Sequence, residues 1–142
     1  MSGHAPALLT GGCLCGGVRF EITEPLQSAS YCHCTRCQRR TGTSASANGV
    51  TAPGSLRVVA GEDLLRAYSP GDGADKVFCS ACGGHVFSQH PADPERKGVR
   101  LGAIDGDPGI RPSLRQYVAY AAPWEPIPED GLPRFAERRP PT

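Results

Sequence analysis

The sequence predicts a mainly β chain of short antiparallel strands with at most one or two short helices, and three observations predict it. Brief apolar segments with period-two alternation are divided by Gly, Pro and Asp turns. The 142 residues include 18 Gly and 14 Pro at 39% hydrophobic content, which suits many turns and leaves little room for long helices. Seven cysteines fall in three tight clusters, Cys13/Cys15, Cys32/Cys34/Cys37 and Cys79/Cys82, where metal sites would tie loops together and supplement a modest core.

Taken in chain order, residues 1–10 are expected to form a flexible N-terminus ahead of a single domain over 11–136. Residues 18–23 (VRFEIT) alternate apolar and polar as a half-buried strand does, and Pro25 closes the segment. A short helix is expected to begin at Thr35, because Thr35-Arg36-Cys37-Gln38 fits the capping-box pattern and Gly42 supplies a left-handed stop. Further strands are expected at 56–59, 65–68, 76–78 and 85–88, separated by turns such as Pro53-Gly54 and Pro70-Gly71-Asp72-Gly73. Two more, at 99–103 and 114–118, flank the Asp105-Gly106-Asp107-Pro108-Gly109 loop, and sequential antiparallel pairing is the simplest topology. After Pro123 the chain is too rich in proline for regular structure. It still carries Trp124, Ile127, Leu132 and Phe135, so a packed extended arm is expected, with 137–142 as a loose end.

Net charge is +1 with both signs interspersed, so no broad basic field is available to a phosphate backbone, and nucleic acid is not an expected partner. No run approaches the roughly eighteen apolar residues of a membrane span. Near the start, residues 5–9 are apolar but interrupted by Pro6, with no basic stretch before them, so no signal peptide is read and a cytoplasmic location is expected. A disulfide framework fits poorly with that compartment. It would also leave one of seven thiols over, and cysteines two or three residues apart are badly placed to bridge each other.

Metal binding is therefore the favoured reading of the cysteines. Two of the clusters share a local grammar, Cys13-Leu14-Cys15-Gly16-Gly17 and Cys79-Ser80-Ala81-Cys82-Gly83-Gly84. Glycine after a ligand cysteine permits positive φ and turns backbone N–H groups toward the sulfur. Two such knuckles make one closed four-thiolate site on Cys13, Cys15, Cys79 and Cys82, the structural kind of zinc site. The alternative reading, buried core cysteines, has no use for the glycines.

The middle cluster, Ser30-Tyr31-Cys32-His33-Cys34-Thr35-Arg36-Cys37-Gln38-Arg39-Arg40, lacks those glycines and is surrounded by cations. On an extended segment Cys32 and Cys34 point to one face and His33 to the other, so His33 is not read as a ligand. Cys37 falls in the first helical turn, where the dipole favours a thiolate. Three thiolates on one metal leave a coordination position open to a thiol or a water. Arg36, Arg39 and Arg40 either balance the thiolate charge, bind an anionic cosubstrate through its carboxylates, or are ordinary solvated arginines.

The ordered set Gly12-Cys13-Leu14-Cys15-Gly16-Gly17-Val18-Arg19-Phe20, Cys32-His33-Cys34-Thr35-Arg36-Cys37, Phe78-Cys79-Ser80-Ala81-Cys82-Gly83, Ala122-Pro123-Trp124 and Gly131-Leu132-Pro133-Arg134-Phe135 resembles the glutathione-dependent formaldehyde-activating enzyme family, which also includes centromere protein V. The resemblance implies a β-tent fold and two zinc ions, one structural on Cys13, Cys15, Cys79 and Cys82 and one on Cys32, Cys34 and Cys37. It implies a carbon–sulfur lyase that joins glutathione to formaldehyde. Relatives often carry a histidine near the position of Arg115, so a pocket lined there is expected to admit a different ligand. His85 and His90 are read as surface residues, and His4 has no assigned role. Two other readings accompany the enzyme: a non-catalytic zinc scaffold that binds a protein or chromatin partner, and a thiol redox sensor at the middle cluster.

Overall fold

The computed structural model describes residues 6–140, in which ten strands, one α-helix and three short 3₁₀ turns are arranged as two sheets. In chain order, β1 (Leu9–Gly12) and β2 (Arg19–Ile22) form a hairpin. β3 (Ser28–Cys32) leads into helix α1 (Thr35–Thr41) and returns as β4 (Ser46–Val50). β5 (Leu56–Ala60) joins β2, closing a three-stranded sheet in the order β1-β2-β5. β6 (Leu65–Tyr68), β7 (Asp75–Cys79), β8 (His85–His90) and β9 (Asp93–Arg100) follow as a meander, and β10 (Arg115–Gln116) comes last. The seven-stranded sheet runs β10-β3-β4-β9-β8-β7-β6.

The mainly β class and the single short helix agree with the sequence expectation, while the pairing scheme is only partly sequential. β6 to β9 pair in order. β9 then meets β4, β5 crosses to the other sheet, and β10 lies parallel to β3. Three strands escaped the sequence reading. Leu-Thr-Gly-Gly in β1, Ser-Ala-Ser-Tyr-Cys in β3 and Ser-Ala-Asn-Gly-Val in β4 are too small and polar to announce strands, and their neighbours' ladders define them. β1 also starts at Leu9, inside the stretch expected to be loose. His4 lies outside the described residues.

Two other boundaries moved. The strand expected at 99–103 ends at Arg100, where Leu101–Ala103 turns as a 3₁₀ helix. The strand expected at 114–118 shrinks to Arg115–Gln116, because Tyr117 adopts φ 59° and Val118–Tyr120 is a second 3₁₀ turn.

The core lies where the sheets face each other. Val18, Phe20 and Ile22 from the β2 region meet Val77, Val86 and Val99 from the larger sheet, each 5% exposed or less. Each such side chain contributes about 1.5–3 kcal/mol of burial. Between the inward residues of β2, Glu21 turns outward to pair with Arg57 at 2.7 Å, so the alternation read from residues 18–23 is the alternation observed.

The C-terminal arm is held both by packing, with Ile127, Leu132 and Phe135 half-buried as expected, and by polar contacts. Trp124, also expected to pack, is 65% exposed. Among the polar contacts, Arg115 N donates to Pro133 O and Phe135 N to Arg115 O, while Arg134 reaches Pro128 O at 2.9 Å. Main-chain bonds continue past 136, with Tyr117 N donating to Glu137 O.

Candidate functional site

The two glycine-backed knuckles come together although about sixty residues separate them. The Sγ atoms of Cys13, Cys15, Cys79 and Cys82 lie within 4.8 Å of one another, with Cys13 to Cys15 at 3.6 Å and Cys15 to Cys79 at 3.9 Å. Zinc–sulfur bonds of about 2.3 Å in a tetrahedron place sulfurs about 3.8 Å apart, so this donor set fits zinc. Gly16 and Gly83 both take left-handed φ, 77° and 76°, in tight turns that return N–H groups to the sulfurs. Val18 N donates to Cys13 Sγ at 3.3 Å, Gly17 N to Cys15 Sγ at 3.4 Å and Gly84 N to Cys82 Sγ at 3.3 Å. Burial works to raise the Cys13 thiol, but the Val18 N–H and the neighbouring thiols outweigh it and hold it at about 6. For Cys15 the Gly17 N–H is outweighed by Cys13, Cys82 and Cys79, which push it up to about 11. Four thiols this close resist ionising together until a cation joins them.

The second group is assembled from the end of β3 and the start of α1. The Sγ atoms of Cys32, Cys34 and Cys37 also lie within 4.8 Å of one another. Cys34, and not Thr35, caps α1, its Sγ accepting from Cys37 N at 3.3 Å. The expected capping box is therefore displaced by one residue. Gln38 does not close a capping box on the cap residue's N–H but donates from Nε2 to His33 O at 2.8 Å and Tyr120 O at 2.9 Å. The C-terminal stop at Gly42 is as expected, with φ 71° and its N–H on Gln38 O. Hydrogen bonds from Cys32 and then Cys34 hold Cys37 down to about 2, and the same interactions with Cys34 and Cys37 push Cys32 up. The trio thus favours the ionised form of one thiol at the expense of its neighbours until a cation joins them, and it has three soft donors for one. Zinc fits it as it fits the first group, with one ligand fewer.

A cavity of about 610 Å³ opens beside the trio, between α1 and strands β6 to β8. None of the three cysteines is in its wall, but Arg40, Lys76 and His85 are, and each interacts electrostatically with Cys37. All three predicted arginines line it, in three different states. Arg36 is bound to Asp72 at 2.8 Å at the exposed rim. Arg39 is exposed. Arg40 is partly buried, donates to Val77 O at 3.4 Å, and leaves Nη1 buried with no hydrogen-bond partner among the described residues. Burial, followed by the nearby Arg100 guanidinium, pulls Arg40 down to about 10.

Lys76 and His85 went unread as site residues. Burial, then Arg40, lowers Lys76. His85 is not the surface residue expected: burial, then Arg40 and Arg100, lowers it to about 4, so it stands neutral with Nδ1 accepting from Arg100 Nε at 3.4 Å. The available signal was period two in β7, which puts Lys76 on the same face as the cavity-lining Phe78. His90 is exposed, its Nδ1 accepting from Ala92 N. Arg115 does not line the cavity, contrary to the expectation of a ligand pocket there. It is 7% exposed and turned toward Asp130, Tyr31 and His33. His33, just past the end of β3, is 2% exposed, and its ring meets Arg115.

Comparison with known proteins agrees with this arrangement. A family model described as glutathione-dependent formaldehyde-activating enzyme matches residues 8–120. A Halomonas elongata protein provisionally named a glutathione-dependent formaldehyde-activating enzyme is 30% identical over 109 residues, which cover 70% of this chain and 68% of that one. A Rhodobacter sphaeroides protein of known crystal structure, 26% identical, aligns over 89% of this chain and 98% of its own with a TM-score of 0.57. The matched span takes in all seven cysteines and the cavity, and the chain belongs to the glutathione-dependent formaldehyde-activating enzyme family.

Proposed function

We propose that this protein is a zinc-dependent carbon–sulfur lyase-type enzyme that joins a small glutathione-like thiol to an aldehyde such as formaldehyde at Cys32, Cys34 and Cys37. The observation that carries the reading is three converging thiols, not four, beside a cation-lined cavity of about 610 Å³. Zinc held there would keep a coordination position for the incoming thiol and favour its thiolate form. In the reaction the sulfur lone pair forms the new carbon–sulfur bond, the carbonyl π pair moves to oxygen, and the thiol proton ends on that oxygen. No oxidant or reductant is needed.

The chain's own residues supply the rest. Arg40 and Lys76 receive the carboxylates of the thiol, Arg40 through the Nη1 that has no hydrogen-bond partner among the described residues. Arg39 adds positive potential at the mouth, and Arg36 stays with Asp72. Phe78 and Tyr68 provide apolar wall for the ligand's body. Cys13, Cys15, Cys79 and Cys82 hold a structural zinc that joins the β1–β2 hairpin to β7. A reducing cytoplasm suits seven free thiols. No helix among the described residues is long and apolar enough to cross a membrane. A scaffold or a redox sensor would use the same cysteines without needing the cationic cavity.

Metal analysis of freshly reduced protein, with and without glutathione, tests the reading. Two zinc ions per chain are expected, the second responding to the thiol. Cys34→Ser should retain one zinc and the fold but lose thiol binding. A second metal indifferent to every small thiol tried would sink the proposal.

A further inference from the structure

Arg115 is buried, and one of its contacts is His33, the residue between two of the trio's cysteines. Nε and Nη2 bind Asp130 Oδ2 at 3.2 and 2.8 Å, Nη1 lies 3.2 Å from His33 Nε2, and the guanidinium sits 4.3 Å from the centre of the Tyr31 ring. A buried guanidinium is tolerable only when its charge and donors are met, and here an acid, an imidazole and an aromatic face meet them. Arginine can only donate, so His33 Nε2 must accept and the ring proton sits on Nδ1. That Nδ1 is buried without a hydrogen bond among the described residues. The ring's orientation therefore serves Arg115 and leaves its own second nitrogen unsatisfied.

His33 is held at two further points. Its N–H donates to Gln116 O at 3.0 Å, and its carbonyl accepts from Gln38 Nε2 at 2.8 Å. The neighbouring Tyr31 N donates to Leu114 O at 3.0 Å. Residues 114–116 thus grip the Cys32–Cys34 segment along its backbone and by its ring. Gln38 ties the same segment to α1, which carries Cys37.

We propose that Arg115 is a positioning residue for the trio, acting through His33 and anchored by Asp130. The ion pair sets the ring, the ring and the parallel ladder set the backbone, and the backbone sets where Cys32 and Cys34 present their sulfurs to Cys37. This inference rests on the proposal that the trio binds metal.

Cobalt(II) titration of the reduced full-length protein tests it, since thiolate-to-cobalt and ligand-field bands report each site's affinity and geometry. Arg115→Met and Asp130→Asn should weaken the trio's cobalt affinity by about 10-fold, the low end of the range for residues bonded directly to a ligand because both act through the non-ligand His33, and shift its ligand-field bands. The four-cysteine site should keep its wild-type affinity in both variants. Arg115→Lys should recover only part of the loss, because one ammonium cannot span Asp130 and His33 as a guanidinium does. Should Arg115→Met fail to fold, the milder Asp130→Asn decides alone. Wild-type affinity and bands at the trio in the variants, or equal weakening of both sites, would overturn the inference while leaving the metal proposal intact. A wild-type protein that takes up only one cobalt overturns both.

Discussion

The two cysteine groups use the same atom in opposite ways. At the knuckles, each supporting N–H comes from a residue within a few positions of its sulfur: Gly17 for Cys15, Val18 for Cys13, Gly84 for Cys82. The trio has local support too, from the Cys37 N–H on Cys34 Sγ, the Cys34 backbone at Cys32 and Gln38 at His33 O, but it also draws on Ser46 at Cys37 and on the distant Gln116 and Arg115, which hold His33. Cys79 is fully buried in the main core, whereas the trio adjoins a cavity lined with cations. A site built from local backbone is suited to holding the fold together. One held partly by distant residues and set beside a cation-lined cavity is suited to taking an anionic ligand, because that cavity offers positive groups for the ligand to meet.

The contrast is most exposed to a pair of serine variants. Cys79→Ser should cost more than about 4 kcal/mol, the scale of a lost structural metal, whereas Cys34→Ser should cost much less. Urea unfolding of both proteins measures this, and similar losses would erase the distinction drawn between the groups. Next in size is ligand recognition. Arg40→Gln should weaken glutathione binding roughly 10–100-fold, as expected for a lost charge-assisted hydrogen bond of about 1.5–3 kcal/mol, with both metals retained. Calorimetric titration checks it, with the exposed Arg39→Gln as the weaker comparison; equal effects would place recognition at the mouth of the cavity.

The smallest expected effect is on acid stability. The bond from Arg115, reinforced by Leu132 N–H, holds the Asp130 carboxyl below its ordinary value. A depressed carboxylate contributes stability that is complete above the unfolded value of about 4 and is lost as pH falls through the folded one. Thermal unfolding followed downward from pH 6 should therefore show a component that Asp130→Asn lacks. An identical pH profile in the variant would remove Asp130 from the account of how the arm is held.

Legibility in the sequence followed the range of the interaction. The knuckles could be read because glycine, cysteine and the N–H that binds each sulfur are sequence neighbours, and Gly16 and Gly83 do take left-handed φ. Strands rich in branched and aromatic residues, β2, β5, β7 and β8, could be read for the same reason. β3 and β4 could not, since Ser, Ala, Asn and Gly have little preference for a strand until neighbours supply a ladder. The arginines of α1 were visible as a group, but their division into the paired Arg36, the exposed Arg39 and the partly buried Arg40 depends on Asp72 and Val77, some 36 and 37 residues distant. Trp124 misled because its bulk suggested burial, while the arm that carries it packs through Ile127, Leu132 and Phe135 and is fastened by carbonyls and by Arg134.

By itself the sequence determined which side chains can coordinate a soft metal, that they divide four and three, and where the backbone must turn to bring amides to the sulfurs. These are matters of residue type and near spacing. Only the tertiary structure decided that β10 lies parallel beside β3, that Arg115 faces His33 and not a ligand, and that Lys76 and His85 join Arg40 around one cavity. Those choices come from sheet pairing and from the need of buried charges to find partners, and both are satisfied by residues too far apart in the chain to reveal one another in advance.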